Sequence, residues 1–296
     1  MARGSVSGRV PDASPAPRVR RSMLYAPADR EDRARKCLAS TADSAVLDLE
    51  DAVAPDRKDE AREVARLVLA SAPAAGRRAE RCVRVNAARS PWHEKDLDMV
   101  VAARPDAVVL PKAEDPADVV RVATRLTEAH VEASILCICE TALGVLNAYA
   151  IACANARVDA LVFGAEDYAA DTGARRSPSN REVWMARSTV VMAAAARRIA
   201  AIDQVFVDYK DLDGLARDAT EGRDLGYRGK QVIHPQQIEV VNAVFTPTPE
   251  AVERARRIVE ADAKHAGAVF SLDGRMIDSP LVEQARYVLR VAEANR

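Results

Sequence analysis

The amino-acid sequence predicts a closed (β/α)8 barrel, a TIM barrel, followed by a C-terminal helical extension. Three features support this α/β fold. Short apolar runs recur at regular intervals, and segments with helical spacing lie between them. Each run is apolar without interruption, as in parallel strands that are covered on both faces. Eight such units fit within the middle of a 296-residue chain, which suits a closed barrel better than an open sheet.

The predicted strands follow one another through the central part of the chain. They cover residues 22–25, 45–49, 82–85, 107–110, 135–139, 160–163, 204–207 and 231–233. Helices are predicted between them, and the clearest cover residues 59–70, 115–129, 144–155 and 181–201. The barrel domain is therefore expected to extend from residue 21 to residue 246.

Both ends of the chain lie outside this barrel domain. Residues 1–20 are rich in Ser, Gly, Pro and Arg and lack the apolar segment of a secretory signal, so we expect a flexible arm. Residues 247–296 are expected to form two helices, at 250–264 and 281–294, joined by a turn-rich segment. This extension could be a lid over a barrel mouth, its own or a neighbouring subunit's, or it could cover the barrel bottom. The pattern does not separate these alternatives.

Composition excludes several classes of protein. Lys and Arg (43) nearly balance Asp and Glu (44), aromatic residues make up only 4%, and no basic stripe follows the N-terminal arm, so nucleic acid is not an expected partner. No apolar stretch is long enough to span a membrane. The five cysteines are odd in number and lie mostly in apolar runs, which favours a reducing compartment. We therefore expect a cytoplasmic protein.

Two of the apolar runs end in acidic residues, which is the most informative feature of the chain. One run ends at Glu140, and another is followed by Glu166 and Asp167. The carboxyl ends of barrel strands meet at one rim, so these carboxylates are expected to converge there. Converging carboxylates repel each other, and a divalent cation would hold them together. Hard oxygen ligands favour Mg²⁺, with Mn²⁺ as an alternative.

Most other residues that follow the predicted strands are polar, as expected for the rim of a barrel enzyme. They are Pro27, Asp29, Arg30, Asp48, Glu50, Asp51, Asn86, Lys112, Asp208 and His234. His234 is the only histidine at a strand end, so a histidine-rich zinc site is not expected. Neither a P-loop nor a dinucleotide-binding glycine motif is present. Schiff-base chemistry through Lys112 is disfavoured, because a lysine beside several acids stays protonated.

Arg84 lies inside a predicted strand, between Val83 and Val85. Its side chain must point to the opposite face from both valines, which is the barrel interior. A buried guanidinium needs a carboxylate or a bound anion as partner. Two interpretations remain open: a structural ion pair with Asp48 or Glu50, or recognition of a substrate carboxylate or enolate oxygen.

Six segments of the chain together resemble the citrate lyase β-subunit-like proteins of the HpcH/HpaI aldolase/citrate lyase superfamily, whose relatives include malyl-CoA and citramalyl-CoA lyases. These segments are residues 22–30, 47–53, 83–86, 110–112, 140–145 and 164–167. They occur in the same order as in that family, and the resemblance extends from about residue 20 to the end. One departure is Ala28, where the family usually has glycine.

The resemblance implies a barrel that holds Mg²⁺ through Glu140 and Asp167. It also implies that Arg84 contacts the thioester enolate. Residues 273–280 resemble the family's C-terminal segment, in which the last Asp, here Asp278, acts as acid and base on an adjacent subunit. This favours an intersubunit lid in a homo-oligomer, a trimer or hexamer. Further contacts to substrate or CoA are expected from Pro27, Arg30, Lys112 and His234, supported by Asp48, Glu50, Asp51 and Glu166.

The expected function is a Mg²⁺-dependent carbon–carbon lyase. It would cleave a 3-hydroxy-acyl-CoA of the malyl, citramalyl or citryl type to acetyl-CoA and a keto acid by a retro-aldol reaction. Two alternatives remain. One is a metal-dependent aldolase that acts on free 2-keto acids and needs no CoA. The other is a β-subunit of a citrate lyase complex that depends on acyl-carrier partner chains.

Overall fold

The computed structural model describes residues 18–71, 79–265 and 267–294. It confirms the predicted fold class, because eight parallel strands pair in sequence order and the eighth closes on the first. The strands are β1 (Ser22–Pro27), β2 (Ser44–Asp48), β3 (Glu80–Arg84), β4 (Ala107–Leu110), β5 (Ser134–Cys139), β6 (Val158–Phe163), β7 (Ala200–Asp203) and β8 (Gly229–Val232).

Helices surround the barrel and connect successive strands. They are α1 (Glu31–Leu38), α2 (Lys58–Ala70), α3 (His93–Ala103), α4 (Pro116–Glu128), α5 (Ala142–Leu146), α6 (Ala148–Cys153), α7 (Ala165–Thr172), α8 (Trp184–Arg197), α9 (Leu212–Leu225) and α10 (Gln237–Phe245). The single helix predicted over residues 144–155 is two helices that meet at Asn147, whose side chain donates to the Glu114 carbonyl. No helix in the described ranges is both long and apolar enough to cross a membrane.

The position predicted for the seventh strand was wrong. The strand is β7, which ends at Asp203, whereas residues 204–207 lie outside any strand and Asp208 is exposed beyond them. Two alanines begin β7, so the sequence there continues the alanine-rich pattern of α8. Its last residue is a buried acid, paired with Arg187 at 2.7 Å and with Lys230 at 3.0 Å. A search for uninterrupted apolar runs misses a strand of this kind.

Alternate residues of the strands point into the barrel, where they form a compact apolar cluster. Its members are Met23, Val46, Cys82, Ala107, Val109, Leu136, Ile138, Ala160, Val162, Ala200 and Ile202, with Tyr25 packed against them. Side chains of the other parity pack against the helices. Because the period is two residues, the interior columns of β2, β3 and β5 continue to Asp48, Arg84 and Glu140. The alternation thus brings these three polar side chains to the barrel mouth.

Ion pairs close the opposite, amino-terminal end of the barrel. The buried Arg20 guanidinium donates to Glu80 at 2.7 and 2.8 Å and to Asp159 at 2.6 Å. Of the arm expected over residues 1–20, only residues 18–20 are described, and residues 1–17 lie outside the described part. Arg20 is therefore already part of the barrel's ion-pair network, although it lies just before the boundary proposed at residue 21.

The C-terminal extension is a helix, a two-stranded hairpin and a second helix. These elements are α11 (Pro249–His265), β9 (Phe270–Leu272), β10 (Arg275–Ile277) and α12 (Ser279–Ala294). They share an apolar cluster separate from that of the barrel, built from Ala255, Ile258, Phe270, Ile277, Val282 and Ala285. The extension therefore has a core of its own.

The extension joins the barrel at its amino-terminal face. The hydroxyl of Thr246, just before α11, accepts a hydrogen bond from Arg21, which precedes β1. The guanidinium of Arg228, which precedes β8, lies 3.7 Å from the ring centroid of Tyr287 in α12. Among the described residues, no hydrogen bond or ion pair links the hairpin to the carboxyl ends of the strands. Within one chain, the extension therefore lies at the end opposite the barrel mouth.

Candidate active site

Arg84 and Asp48 are neighbours because β2 and β3 pair in a register that places them side by side. The guanidinium donates two hydrogen bonds to the carboxylate, at 2.7 and 2.6 Å, and its third nitrogen lies 3.4 Å from Glu50. Burial alone would lower the pKa of Arg84, but the charges of Asp48 and Glu50 raise it well above its ordinary value. The ion pair considered in the sequence analysis is present, and the group stays cationic.

Asp48 also shapes the loop that carries Glu50. Its carboxylate accepts hydrogen bonds from the backbone N–H of Glu50 at 2.9 Å and of Ala52 at 3.1 Å. The ammonium of Lys58 donates to the carbonyls of Leu49 and Glu50. These hydrogen bonds satisfy the polar backbone groups of a tight turn at the end of β2. They also direct the Glu50 side chain to the barrel mouth.

Glu140 follows β5 and is 3% exposed. One carboxylate oxygen accepts the backbone N–H of Lys112 at 2.8 Å. Burial, reinforced by the negative charges of Asp167 and Glu50, raises the pKa of Glu140 to about 8. A Cβ at Gly164 would lie 2.5 Å from the Cβ and Oε2 of Glu140, so only glycine leaves room for this carboxylate. The site thus holds a buried acid whose charge is poorly compensated.

Lys112 is the cation at the centre of the acids. Its ammonium lies 2.7 Å from Glu50, 3.5 Å from Asp51 and 3.5 Å from Asp167. Burial would lower the pKa of Lys112, but its hydrogen bond to Glu50 and the charges of Glu50, Glu140 and Asp167 raise it. The amine therefore stays protonated, which agrees with the expectation that it is not a Schiff-base nucleophile.

The residues at the mouth fit a divalent cation. In the described ranges, no three His, Cys, Asp or Glu side chains form a closed metal cage. Mg²⁺ does not need one, since it is often held by one or two carboxylates and keeps several waters. Glu140 and Asp167 offer two carboxylates, and a buried oxygen of Glu50 has no hydrogen-bond partner. A divalent charge would offset the repulsion that raises the pKa of Glu140.

The other predicted site residues occupy different parts of the rim and of the extension. Pro27 ends β1 opposite Asp48, whereas Arg30 is exposed at the start of α1. His234 follows β8 and stacks on Tyr209, with ring centroids 4.6 Å apart. Glu166 is exposed and bonds to Arg176 at 3.0 Å. The structure thus brings Asp48, Glu50, Asp51, Arg84, Lys112, Glu140 and Asp167 together, but places Asp278 in the extension.

The sequence analysis missed two residues that belong to this region. Tyr25 points into the barrel beneath Arg84, whose guanidinium lies 5.1 Å from the ring centroid. Its position two residues before Pro27, in the interior column of β1, was a usable signal. Arg176 reaches Glu166, Glu182, Asn180 and Gln204 from a loop, and no sequence periodicity indicates such a contact.

Comparison with known proteins agrees with this geometry. The chain is 36% identical to "Citramalyl-CoA lyase, mitochondrial" of Rattus norvegicus over 293 residues, covering 92% of this chain and 86% of the relative. It is 36% identical to a (3S)-malyl-CoA thioesterase of Cereibacter sphaeroides, covering 93% and 95% of the two chains. A crystal structure of the protein CitE from Mycobacterium tuberculosis, in complex with magnesium, acetoacetate and coenzyme A, superposes with a TM-score of 0.77 at 33% identity, covering 93% of this chain and 98% of that one.

These relatives match this chain over nearly its whole length. Residues 21–235, which include every strand of the barrel and all the carboxylates at its mouth, match one protein family. The chain belongs to the HpcH/HpaI aldolase/citrate lyase family.

Proposed function

We propose that the chain is a Mg²⁺-dependent carbon–carbon lyase that cleaves a 3-hydroxy-acyl-CoA to acetyl-CoA and a keto acid. The observation that carries this proposal is the convergence of Glu140 and Asp167 with the cationic Arg84 at one barrel mouth. The names of two relatives support CoA thioesters as substrates, and the magnesium and coenzyme A bound to CitE support the metal and the ligand class.

Five charged side chains have roles in the proposed reaction. Glu140 and Asp167 would hold Mg²⁺, which supplies Lewis-acid polarisation of the substrate hydroxyl and carboxylate when it is bound. Arg84 gives two hydrogen bonds to Asp48, and its third nitrogen, which lies 3.4 Å from Glu50 without a hydrogen bond to it, would donate to the developing enolate oxygen. Lys112 supplies positive charge beside the substrate carboxylate. In the cleavage direction the substrate hydroxyl releases its proton to solvent as the carbon–carbon bond breaks, and Asp278 transfers a proton to the enolate carbon.

We infer that Asp278 acts on the barrel of a neighbouring subunit, because its own extension lies at the opposite end of its barrel. Exposed apolar side chains support a covering surface beside the mouth: Leu146 in α5 is 82% exposed and Met185 in α8 is 77% exposed. The hairpin offers an apolar counterpart in Met276, which is 65% exposed. Contact with a neighbouring subunit would remove these apolar side chains from water.

A mixing experiment tests this exchange of lids. Glu140→Ala and Asp278→Asn homo-oligomers should each be inactive. After co-refolding, sites that combine an intact barrel from one variant with an intact lid from the other should restore about a quarter of the wild-type activity. Mass spectrometry of the mixed oligomers verifies the exchange. Inactive mixed oligomers would show that Asp278 does not serve a neighbouring barrel.

The proposed reaction is tested with the purified protein, Mg²⁺ and a panel of malyl-, citramalyl- and citryl-CoA. Chromatography would quantify acetyl-CoA, free CoA and keto acid. We expect acetyl-CoA and keto acid in equal amounts, and no product in EDTA. Free CoA without keto acid would instead indicate a thioesterase, and cleavage in EDTA would exclude the metal. Turnover of free 2-keto acid aldols alone would favour the aldolase, and activity only with acyl-carrier thioesters would favour the β-subunit.

A further inference from the structure

Tyr25 carries a buried hydroxyl with no hydrogen-bond partner in the described structure. Its side chain occupies the interior column of β1 and packs against the apolar cluster of the barrel interior. The Arg84 guanidinium covers the ring at 5.1 Å from its centroid. The ring therefore lies beside the group that is expected to bind the enolate, and its hydroxyl is shielded from solvent.

Of the two nearby carboxylates, Asp48 is fully engaged by donors and Glu140 is engaged through one oxygen. Both oxygens of Asp48 accept hydrogen bonds from Arg84 and from backbone N–H groups. One oxygen of Glu140 accepts the N–H of Lys112. A buried hydroxyl without a partner is unfavourable, and phenylalanine would fill the same space without this penalty. A tyrosine here is best explained by an acceptor that arrives with a ligand.

The charges around the hydroxyl define the kind of acceptor. Burial raises the pKa of Tyr25, Arg84 opposes this, and Asp48 and Glu140 reinforce it, so the phenol remains neutral across the physiological range. A neutral phenol beside a guanidinium is a hydrogen-bond donor well suited to an anionic oxygen. Substrate carboxylate and enolate oxygens are the anions that the proposed reaction brings to this place.

We propose that the Tyr25 hydroxyl donates a hydrogen bond to a carboxylate or enolate oxygen of the acyl group bound beside Arg84. Tyr25 is then a further substrate-contacting residue. This inference rests on the proposed lyase function for the identity of the acyl group. It does not depend on which acyl-CoA is used, because it concerns the oxygen atoms that these substrates share.

The Tyr25→Phe variant removes only the hydroxyl and keeps the ring beneath Arg84. We expect kcat/KM for the acyl-CoA substrate to fall about 10- to 100-fold, as for the loss of a hydrogen bond to a charged group. The affinity for oxalate, a planar dianion that resembles an enolate, should fall by a similar factor in calorimetric titrations with Mg²⁺ present. The Tm should be unchanged or higher, since an unpaired buried group is removed.

Tyr227→Phe is the matched control. The Tyr227 hydroxyl is buried like that of Tyr25, but it donates to the Arg187 carbonyl at 2.8 Å. This variant should lower Tm and leave oxalate binding unchanged, the reverse of the pattern for Tyr25→Phe. Unchanged kcat/KM and oxalate affinity in Tyr25→Phe would overturn the contact. If the wild type cleaves no acyl-CoA, the lyase proposal fails, and the oxalate titration alone still decides whether Tyr25 binds an anion.

Discussion

Replacing Glu140 with Gln is expected to abolish Mg²⁺-dependent cleavage, with kcat/KM falling more than about a thousandfold. The amide keeps the shape of the side chain but removes one of the two carboxylates that would hold the metal. Without metal, the same variant should be more stable than the wild type, because folding above pH 4.5 must either protonate Glu140 or bury its charge beside Asp167 and Glu50, and a neutral amide requires neither. Steady-state kinetics and thermal unfolding with and without Mg²⁺ measure both effects.

The raised pKa of Glu140 also predicts how pH affects the metal-free protein. Its pKa rises from an ordinary value of 4.5 to about 8, so the folded chain retains a proton that the unfolded chain releases. The stabilisation from this proton is complete below pH 4.5 and is lost as the pH rises toward 8. Over this window the free energy of unfolding should fall by up to about 1.4 kcal/mol per pH unit.

Mg²⁺ must displace this proton below about pH 8. Its apparent affinity should therefore decrease up to about tenfold for each pH unit below that value. Titrations of the wild type with Mg²⁺ between pH 6 and pH 9 would measure the slope. Unfolding of Glu140→Gln should lack the contribution of Glu140 to this slope. A wild type whose unfolding and Mg²⁺ affinity are both independent of pH would contradict the assignment of Glu140 as a buried metal ligand.

The fold was predictable because most strands of this barrel are continuous apolar runs. That pattern reflects burial on both faces, which is a general property of parallel sheets. The seventh strand departs from it, since β7 starts with two alanines and ends in Asp203. The buried charge of Asp203 is compensated by Arg187 and Lys230 from other elements. Compensation between distant parts of the chain cannot be read from local composition.

Some features of the candidate site could likewise be predicted from the sequence, and others could not. Glu140 and Arg84 were predictable, because their positions at the ends of strands fix where their side chains point. The position of the Lys112 ammonium among Glu50, Asp51 and Asp167 was not, because it depends on a flexible side chain and a backbone φ of 46°. The unpaired hydroxyl of Tyr25 was equally unpredictable, because the lack of a hydrogen-bond partner can be seen only when the positions of all neighbouring residues are known.

Replacing Arg84 with Met is expected to destabilise the protein by about 3–5 kcal/mol, because it leaves the buried carboxylate of Asp48 without its cation. Asp48 is 1% exposed and receives two hydrogen bonds from the guanidinium. The kcat/KM should also fall by about a hundred- to a thousandfold, since the donor facing the enolate oxygen is removed. Urea unfolding and steady-state kinetics measure the two effects separately.

A second variant separates the structural role of Arg84 from its catalytic role. In Arg84→Met/Asp48→Asn the buried charge is removed from both partners, while the asparagine oxygen can still accept one of the two backbone N–H groups, that of Glu50 or that of Ala52. This double variant should regain most of the stability and none of the activity. Arg81→Lys, which alters an ion pair with Asp106 on the outer side of β3, should leave kcat/KM unchanged. Recovery of activity in the double variant would show that Arg84 serves only the ion pair, because a methionine side chain cannot stabilise an enolate.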